Sequence, residues 1–282
     1  MIYYFDTSSL NDLLTDSECN AIEIALTSVA SVRISAINII EAIKTPDTQR
    51  RKALIKLMAR LSAGKRPLDR PNTILLSYAK AHAADATRAS VNTDENLEGI
   101  WIALNQPELL AEDSLAEAND WAKEQEHDFA SVVATDREAI QAILSRHGKR
   151  REFSTANTLR AYIQAEAECQ QLISDIYYRT TNKLFTDTGY KALMREKAWP
   201  LYLLSHAYGI HARSVRINRF SSSSNAGGID LTQSVYLTLC DRFITSDNAQ
   251  YRALRQLNVI NTKRKTQVLR YSMFRNRLLS LP

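Results

Sequence analysis

The stretch that decides the reading of this chain is Ile2-Tyr3-Tyr4-Phe5-Asp6-Thr7-Ser8-Ser9-Leu10. Four apolar or aromatic residues in a row are too few for a helix and suit a short buried strand, which must stop at the ionisable Asp6. The small polar residues Thr7-Ser8-Ser9 then predict a turn into a helix that carries Leu10, Leu13 and Leu14. Working outward, a helix is expected over 18–29, a second β-like run over 31–35, and an apolar helix over Ala36–Ile43. The chain repeats this grammar near its other end. Gly227-Gly228 precede Ile229-Asp230, which opens a helix through Leu231, Val235, Tyr236 and Leu239. A strand over Arg242-Phe243-Ile244-Thr245 leads to Asp247, then a helix over 248–256 and a last strand over 257–260. Strands alternating with helices imply an α/β fold, a parallel sheet with helices on its faces, whose reactive groups lie at the carboxyl ends of strands.

Between these ends the composition changes. Residues 46–214 are rich in Ala, Leu, Glu, Gln, Lys and Arg, and predict long helices near 50–61, 72–87, 109–123, 128–146, 154–179 and 187–207. In the first of these, Leu54, Leu57, Met58 and Leu61 form an apolar stripe beside a basic one, Lys52, Lys56 and Arg60. Pro200 is expected to kink or end its helix. The end pieces, 1–45 and 215–282, together hold 113 residues, the size of one ordinary domain. The organisation expected is therefore one α/β domain in two parts, interrupted by a mainly α-helical insertion over 46–214 and finishing in a basic C-terminal tail.

Composition bounds the function. The 282 residues are 45% hydrophobic with 7 Gly and 6 Pro, which excludes a disordered or collagenous chain. Three widely spaced cysteines (Cys19, Cys169 and Cys240) make neither a disulfide framework nor a zinc knuckle. With no apolar run near the ~18 residues of a membrane span and no secretory leader, a soluble cytoplasmic protein without membrane contact is expected. The net charge of +5 is uneven: from Tyr251 to Pro282 there are eight basic residues and no acid. Such a tail suggests a polyanionic partner.

Four acids stand out by position: Asp6 after the first strand, Glu41 on the helix after the second, Asp230 at a helix start and Asp247 after a late strand. Each has an innocent reading, as a helix cap for the three aspartates and as a solvated helix residue for Glu41. Yet Glu41 sits among Ile39, Ile40, Ala42 and Ile43, where an unpaired carboxylate is costly. On neighbouring parallel strands all four can meet at one sheet edge, where their mutual repulsion would be relieved by a hard divalent cation, Mg²⁺ or Mn²⁺.

At these residues the chain resembles the PIN-domain nucleases. The resemblance rests on Tyr4-Phe5-Asp6-Thr7-Ser8-Ser9-Leu10, on Ser35-Ala36-Ile37-Asn38-Ile39-Ile40-Glu41, on Asp230 with Leu-Thr-Gln-Ser-Val-Tyr-Leu after it, and on Phe243-Ile244-Thr245-Ser246-Asp247. It implies a PIN-like sheet on which Asp6, Glu41, Asp230 and Asp247 are both catalytic and metal-binding, with Ser8, Ser9 and Thr245 orienting carboxylates or a metal-bound water. The activity implied is metal-dependent endonucleolytic hydrolysis of RNA, leaving 5′-phosphate and 3′-hydroxyl ends, in a toxin-type or RNA-processing role. The 189-residue step from Glu41 to Asp230 is far longer than in compact toxin-type members.

Beside such a centre, Lys52, Lys56, Arg60, Lys263, Arg264, Lys265 and Arg270 become candidate contacts to a nucleic-acid backbone. An antitoxin or other regulatory protein and a homodimer are the further partners that the resemblance leaves open. Three rivals remain: a DNA nuclease, a non-catalytic PIN-fold module that binds nucleic acid or protein, and a phosphatase with Asp6 as nucleophile. The last wants an Asp two residues further on, where this chain has Ser8.

Overall fold

The structure, a computed structural model, describes residues 1–83, 95–106, 119–124, 181–184, 186–215, 228–260 and 266–280, with single positions at 116, 127, 174, 177 and 178. Four parallel strands form one sheet: β1 (Ile2–Phe5), β2 (Ser31–Arg33), β3 (Arg242–Thr245) and β4 (Gln267–Arg270), in the order β2-β1-β3-β4. The register pairs Tyr3 with Val32 on one side of β1 and Phe5 with Ile244 on the other, and Thr245 with Arg270 between β3 and β4.

Side chains alternate across the strands, so each strand feeds both faces. Tyr3, Phe5, Ile244 and Leu269 enter one core, with Leu10 and Leu13 of α1 (Thr7–Thr15), Ile22 and Leu26 of α2 (Cys19–Val29), and Phe274 and Leu278 of the C-terminal helix. Tyr4, Phe243 and Val268 enter the other. There the Tyr4 ring lies 4.7 Å from Tyr236 and 4.8 Å from Phe243. Leu254 and Leu257 of the helix after β3 join this second core. Helices leaving β1 and β3 thus turn to opposite faces, so the chain's topological switch point falls at the carboxyl edge between those two central strands.

The helices described within 46–214 pack into these same two cores. Leu54, Ile55, Leu57, Met58 and Leu61 of α4 (Thr48–Ser62) and Leu97, Trp101 and Leu104 of α6 (Glu95–Asn105) lie with Tyr3 and Phe5. Ile74 and Leu75 of α5 (Pro71–Ala83), Leu193 of α7 (Asp187–Arg195), and Trp199 and Leu203 of α8 (Ala198–Val215) lie with Tyr4. The segment therefore supplies walls of the sheet's own cores. The helices expected over 128–146 and 154–179 fall almost wholly outside the described residues, as does most of 109–123.

Several sequence expectations need correction. The run over 31–35 ends as a strand at Arg33; Ser35 bridges Leu68 and caps α3 (Ala36–Ile43), its own N–H donating in return to Asn38 Oδ1. Asp230 is the third residue of the short α9 (Gly228–Thr232), which tightens to a 3₁₀ helix over Gln233–Thr238. The helix expected over 187–207 is broken at 196–197 into α7 and α8, and Pro200 lies just after the break as the third residue of α8, where no intrahelical donor is lost. The strand expected over 257–260 is the end of α10 (Asn248–Leu257) and a 3₁₀ turn over Asn258–Ile260. The fourth strand lies further on, in the basic tail, followed by α11 (Tyr271–Leu279). That tail is thus largely structured, with Val268, Leu269, Phe274 and Leu278 buried.

Asp16, just after α1, ties α11 down: its carboxylate accepts from Tyr271 Oη at 2.9 Å and from Arg275 Nε at 2.7 Å. The Arg275 guanidinium holds the Asp16 carboxyl below its ordinary range. Such a group adds stability above the unfolded aspartate pKa, about 3.9, and loses it as pH falls through the lower folded value. Asp16→Asn is expected to lower the urea midpoint at pH 7, with the gap to wild type closing as the pH is taken below about 4. Leu57→Ala, in the core shared by α4 and β1, should cost about 2–5 kcal/mol in the same assay. A cost near zero would mean that α4 is dispensable to the sheet.

Candidate active site at the carboxyl edge

β1 ends at Phe5, and Asp6 follows it with its backbone N–H donating to the Ile244 carbonyl at 3.0 Å, so that β1 and β3 stay zipped to their ends. Asp6 is 5% exposed. Its Oδ1 accepts from the Ser9 backbone N–H at 2.8 Å, the bond that caps α1. Its Oδ2 accepts from Ser8 Oγ at 2.6 Å and from Thr245 Oγ1 at 2.8 Å. The cap reading and the special-site reading therefore describe the same carboxylate. Burial pushes the Asp6 carboxyl up from its ordinary value, against the pull of these donors. No cation among the described residues takes part in that balance.

Two of the donors also reach the loop after β3. Thr245 Oγ1 accepts from the Asp247 backbone N–H at 3.0 Å, and Ser8 Oγ from the Ser246 N–H at 3.1 Å. Asp247 in turn caps α10 through Gln250 N–H at 2.6 Å. Asp6 and Asp247 are thus fixed against each other through one threonine hydroxyl. Asp230 joins through its backbone: its carbonyl accepts from Gln250 Nε2 at 3.2 Å.

Glu41 lies on α3, one turn beyond Asn38, and α3 is hooked to β1. Asn38 Nδ2 donates to the Phe5 carbonyl and to Thr7 Oγ1, both at 3.1 Å. Beneath them the buried Tyr4 hydroxyl donates to Gln233 Oε1 at 3.1 Å and lies 2.9 Å from Ser35 Oγ. The Tyr4 phenol is pushed well up, first by burial and in part by the negative charges of Asp6 and Glu41. Both carboxylates therefore lie within electrostatic reach of one hydroxyl.

The donor set is all oxygen, chemistry that suits Mg²⁺ or Mn²⁺, and a buried carboxylate without a cation would gain from one. As the side chains stand, no group of three His, Cys, Asp or Glu among the described residues is arranged to hold a metal ion. What is built is a row of four acidic segments along one edge, tied together through Thr245, Ser8, Gln250 and Asn38.

Sequence reasoning missed Asn38 and Gln250, although both are fully buried. The signal was available. Asn38 stands inside an unbroken apolar run, and Gln250 is three and four residues before Ala253 and Leu254, on the apolar face of α10. A polar group placed so needs a partner.

The basic candidates separate. Lys52 and Lys56 are exposed on α4. Arg60 is spent on Glu23, with Nε–Oε1 at 2.6 Å and Nη2–Oε2 at 2.9 Å. Just beyond it Lys65 bonds Ser31, the first residue of β2, so Arg60 lies toward the edge opposite the acids. Lys263, Arg264 and Lys265 fall outside the described residues. Arg270 ends β4, beside Thr245 in the sheet. No protein-family model matches the chain, and no curated protein or solved structure is significantly similar to it.

Thr245→Val removes a donor to Asp6 and an acceptor for the Asp247 N–H. It is expected to cost about 1–3 kcal/mol in urea unfolding, while Thr245→Ser, which keeps the hydroxyl, costs less. A Thr245→Val cost near zero, or below that of Thr245→Ser, would show that the methyl group matters and the hydroxyl does not.

Proposed function

We propose that the chain is a PIN-like, metal-dependent endoribonuclease that hydrolyses RNA phosphodiester bonds at the switch point between β1 and β3. The observation that carries the reading is the buried Asp6 carboxylate at the end of a central strand, oriented by Ser8, Ser9 and Thr245 and lacking a cation among the described residues. A carboxylate kept only as a helix cap has no need of burial or of two further hydroxyl donors. Asp6, Glu41, Asp230 and Asp247 would hold Mg²⁺ or Mn²⁺ between them. When bound, the ion supplies a water of lowered pKa and neutralises charge on the scissile phosphate.

The chain's own residues do the positioning. Ser8 and Thr245 fix which lone pairs of Asp6 remain for a ligand, and the Thr245 hydroxyl sets Asp247 relative to Asp6. Gln250 holds the Asp230 segment to the start of α10, so that a shift of either acid is opposed by the other. Support for RNA over DNA comes from the resemblance of the four sequence motifs. A toxin role would add a neutralising antitoxin as partner. Among the described residues no helix is long and apolar enough to cross a membrane.

Incubation with RNA and with single- and double-stranded DNA, in Mn²⁺ or EDTA, tests the reading. RNA cleavage is expected with Mn²⁺ alone. It should fall more than about 100-fold in Asp6→Asn, beyond the loss typical of an outer partner of a metal site. Cleavage unaffected by EDTA or by Asp6→Asn would refute the assignment, and cleavage of DNA alone would reassign the substrate.

A further inference from the structure

Away from the acids, two arginines converge on one tyrosine at the β4 flank of the same edge. Arg270, the last residue of β4, places its guanidinium carbon 4.9 Å from the centre of the Tyr251 ring. Arg255, one turn along α10 from Tyr251, places its own 5.6 Å from the same ring, with Nη1 donating to Tyr251 Oη at 3.3 Å. Like charges gathered around one ring repel, and the ring's negative face offsets that only in part.

No carboxylate among the described residues pairs with either arginine. Arg270 Nε is buried and has no hydrogen-bond partner, whereas the comparable Arg275 Nε is spent on Asp16 at 2.7 Å. A buried guanidinium donor left unmade is costly, and a ligand oxygen would relieve it. The position also matters. Arg270 pairs in the sheet with Thr245, whose hydroxyl holds Asp6, so the arginines stand one strand from the switch point.

We propose that Arg255 and Arg270, held by Tyr251, form a binding site for a backbone phosphate of single-stranded nucleic acid, placing the strand across the carboxyl edge toward Asp6. The planar fork of a guanidinium matches phosphate oxygens, and stacking on Tyr251 fixes the plane before the ligand arrives. Because Tyr251 is occupied by the two guanidiniums, it is not a platform for a base. The site reads the sugar-phosphate backbone without regard to sequence. This inference rests on the nuclease reading for the identity of its ligand, but its test does not depend on cleavage.

The test is the binding of a fluorescently labelled single-stranded RNA to the full chain carrying Asp6→Asn, in EDTA, over a series of salt concentrations. Each phosphate contact contributes about 0.7 to the slope of log K against log salt for a single strand. The pair Arg255→Gln with Arg270→Gln should lower that slope by about 0.7, the contribution of the one phosphate they hold, and Arg255→Gln alone by part of that, for RNA and single-stranded DNA alike. Arg255 is exposed, so its variant keeps the proposal testable if Arg270→Gln weakens the fold. An unchanged slope in a folded Arg255→Gln protein overturns the site. If the slope falls as expected but wild type cleaves no nucleic acid in Mn²⁺, the phosphate site stands and the nuclease reading fails.

Discussion

The rest of the molecule is arranged around one carboxylate kept out of water. Asp6 is buried at the end of a central strand, where its ionised form is disfavoured, and it is held by one backbone N–H and two hydroxyls. Those donors come from two elements. Ser8 and Ser9 belong to the first turn of α1, and Thr245 to β3, so the carboxylate fixes the start of a helix and the edge of the neighbouring strand together. Ser9 adds a second tie: its Oγ donates to the Ile244 carbonyl at 3.0 Å. Loosening this knot would release the loop that carries Asp247.

The sheet order explains why the knot lies where it does. With β1 and β3 adjacent, and α1 and α10 leaving toward opposite faces, the chain parts at the carboxyl end of just these two strands. The segment between the halves is bonded to the elements beside them. Leu68 adds a bridge beside Ser35, and the Tyr236 hydroxyl donates to the Asp69 carbonyl at 2.8 Å. The long step between Glu41 and Asp230 is therefore partly scaffold, since α4, α5, α7 and α8 complete both cores.

How far the sequence could be read follows from local signals. β1, β3, Asp6 and Asp247 were legible because an apolar run that halts at an acid and enters a capping pattern has few other meanings. β4 was hidden because Val268 and Leu269 stand between polar and basic neighbours, while the more apolar run at 257–260 drew the strand assignment. Leu257 is buried as a helix residue, whereas Val259 is 67% exposed, so that run has only one face to bury. Asn38 and Gln250 were missed although polar residues on apolar faces ask for partners. The argument applied to Glu41 holds equally for Asn38, three residues earlier. Thr245 could be read as a neighbour of Asp6 only through the resemblance, since 239 residues separate the two in sequence.

The central claim is that Asp6 is buried in order to hold a divalent cation with the other three acids. Calorimetric titration of Mn²⁺ into the metal-free chain tests it most directly, without a nucleic acid and without turnover. The account predicts saturable binding by wild type, none by a folded Asp6→Asn variant, and affinity about 10–100-fold weaker in Thr245→Val. Equal binding by wild type and Asp6→Asn, or no binding by a folded wild-type chain, would contradict it.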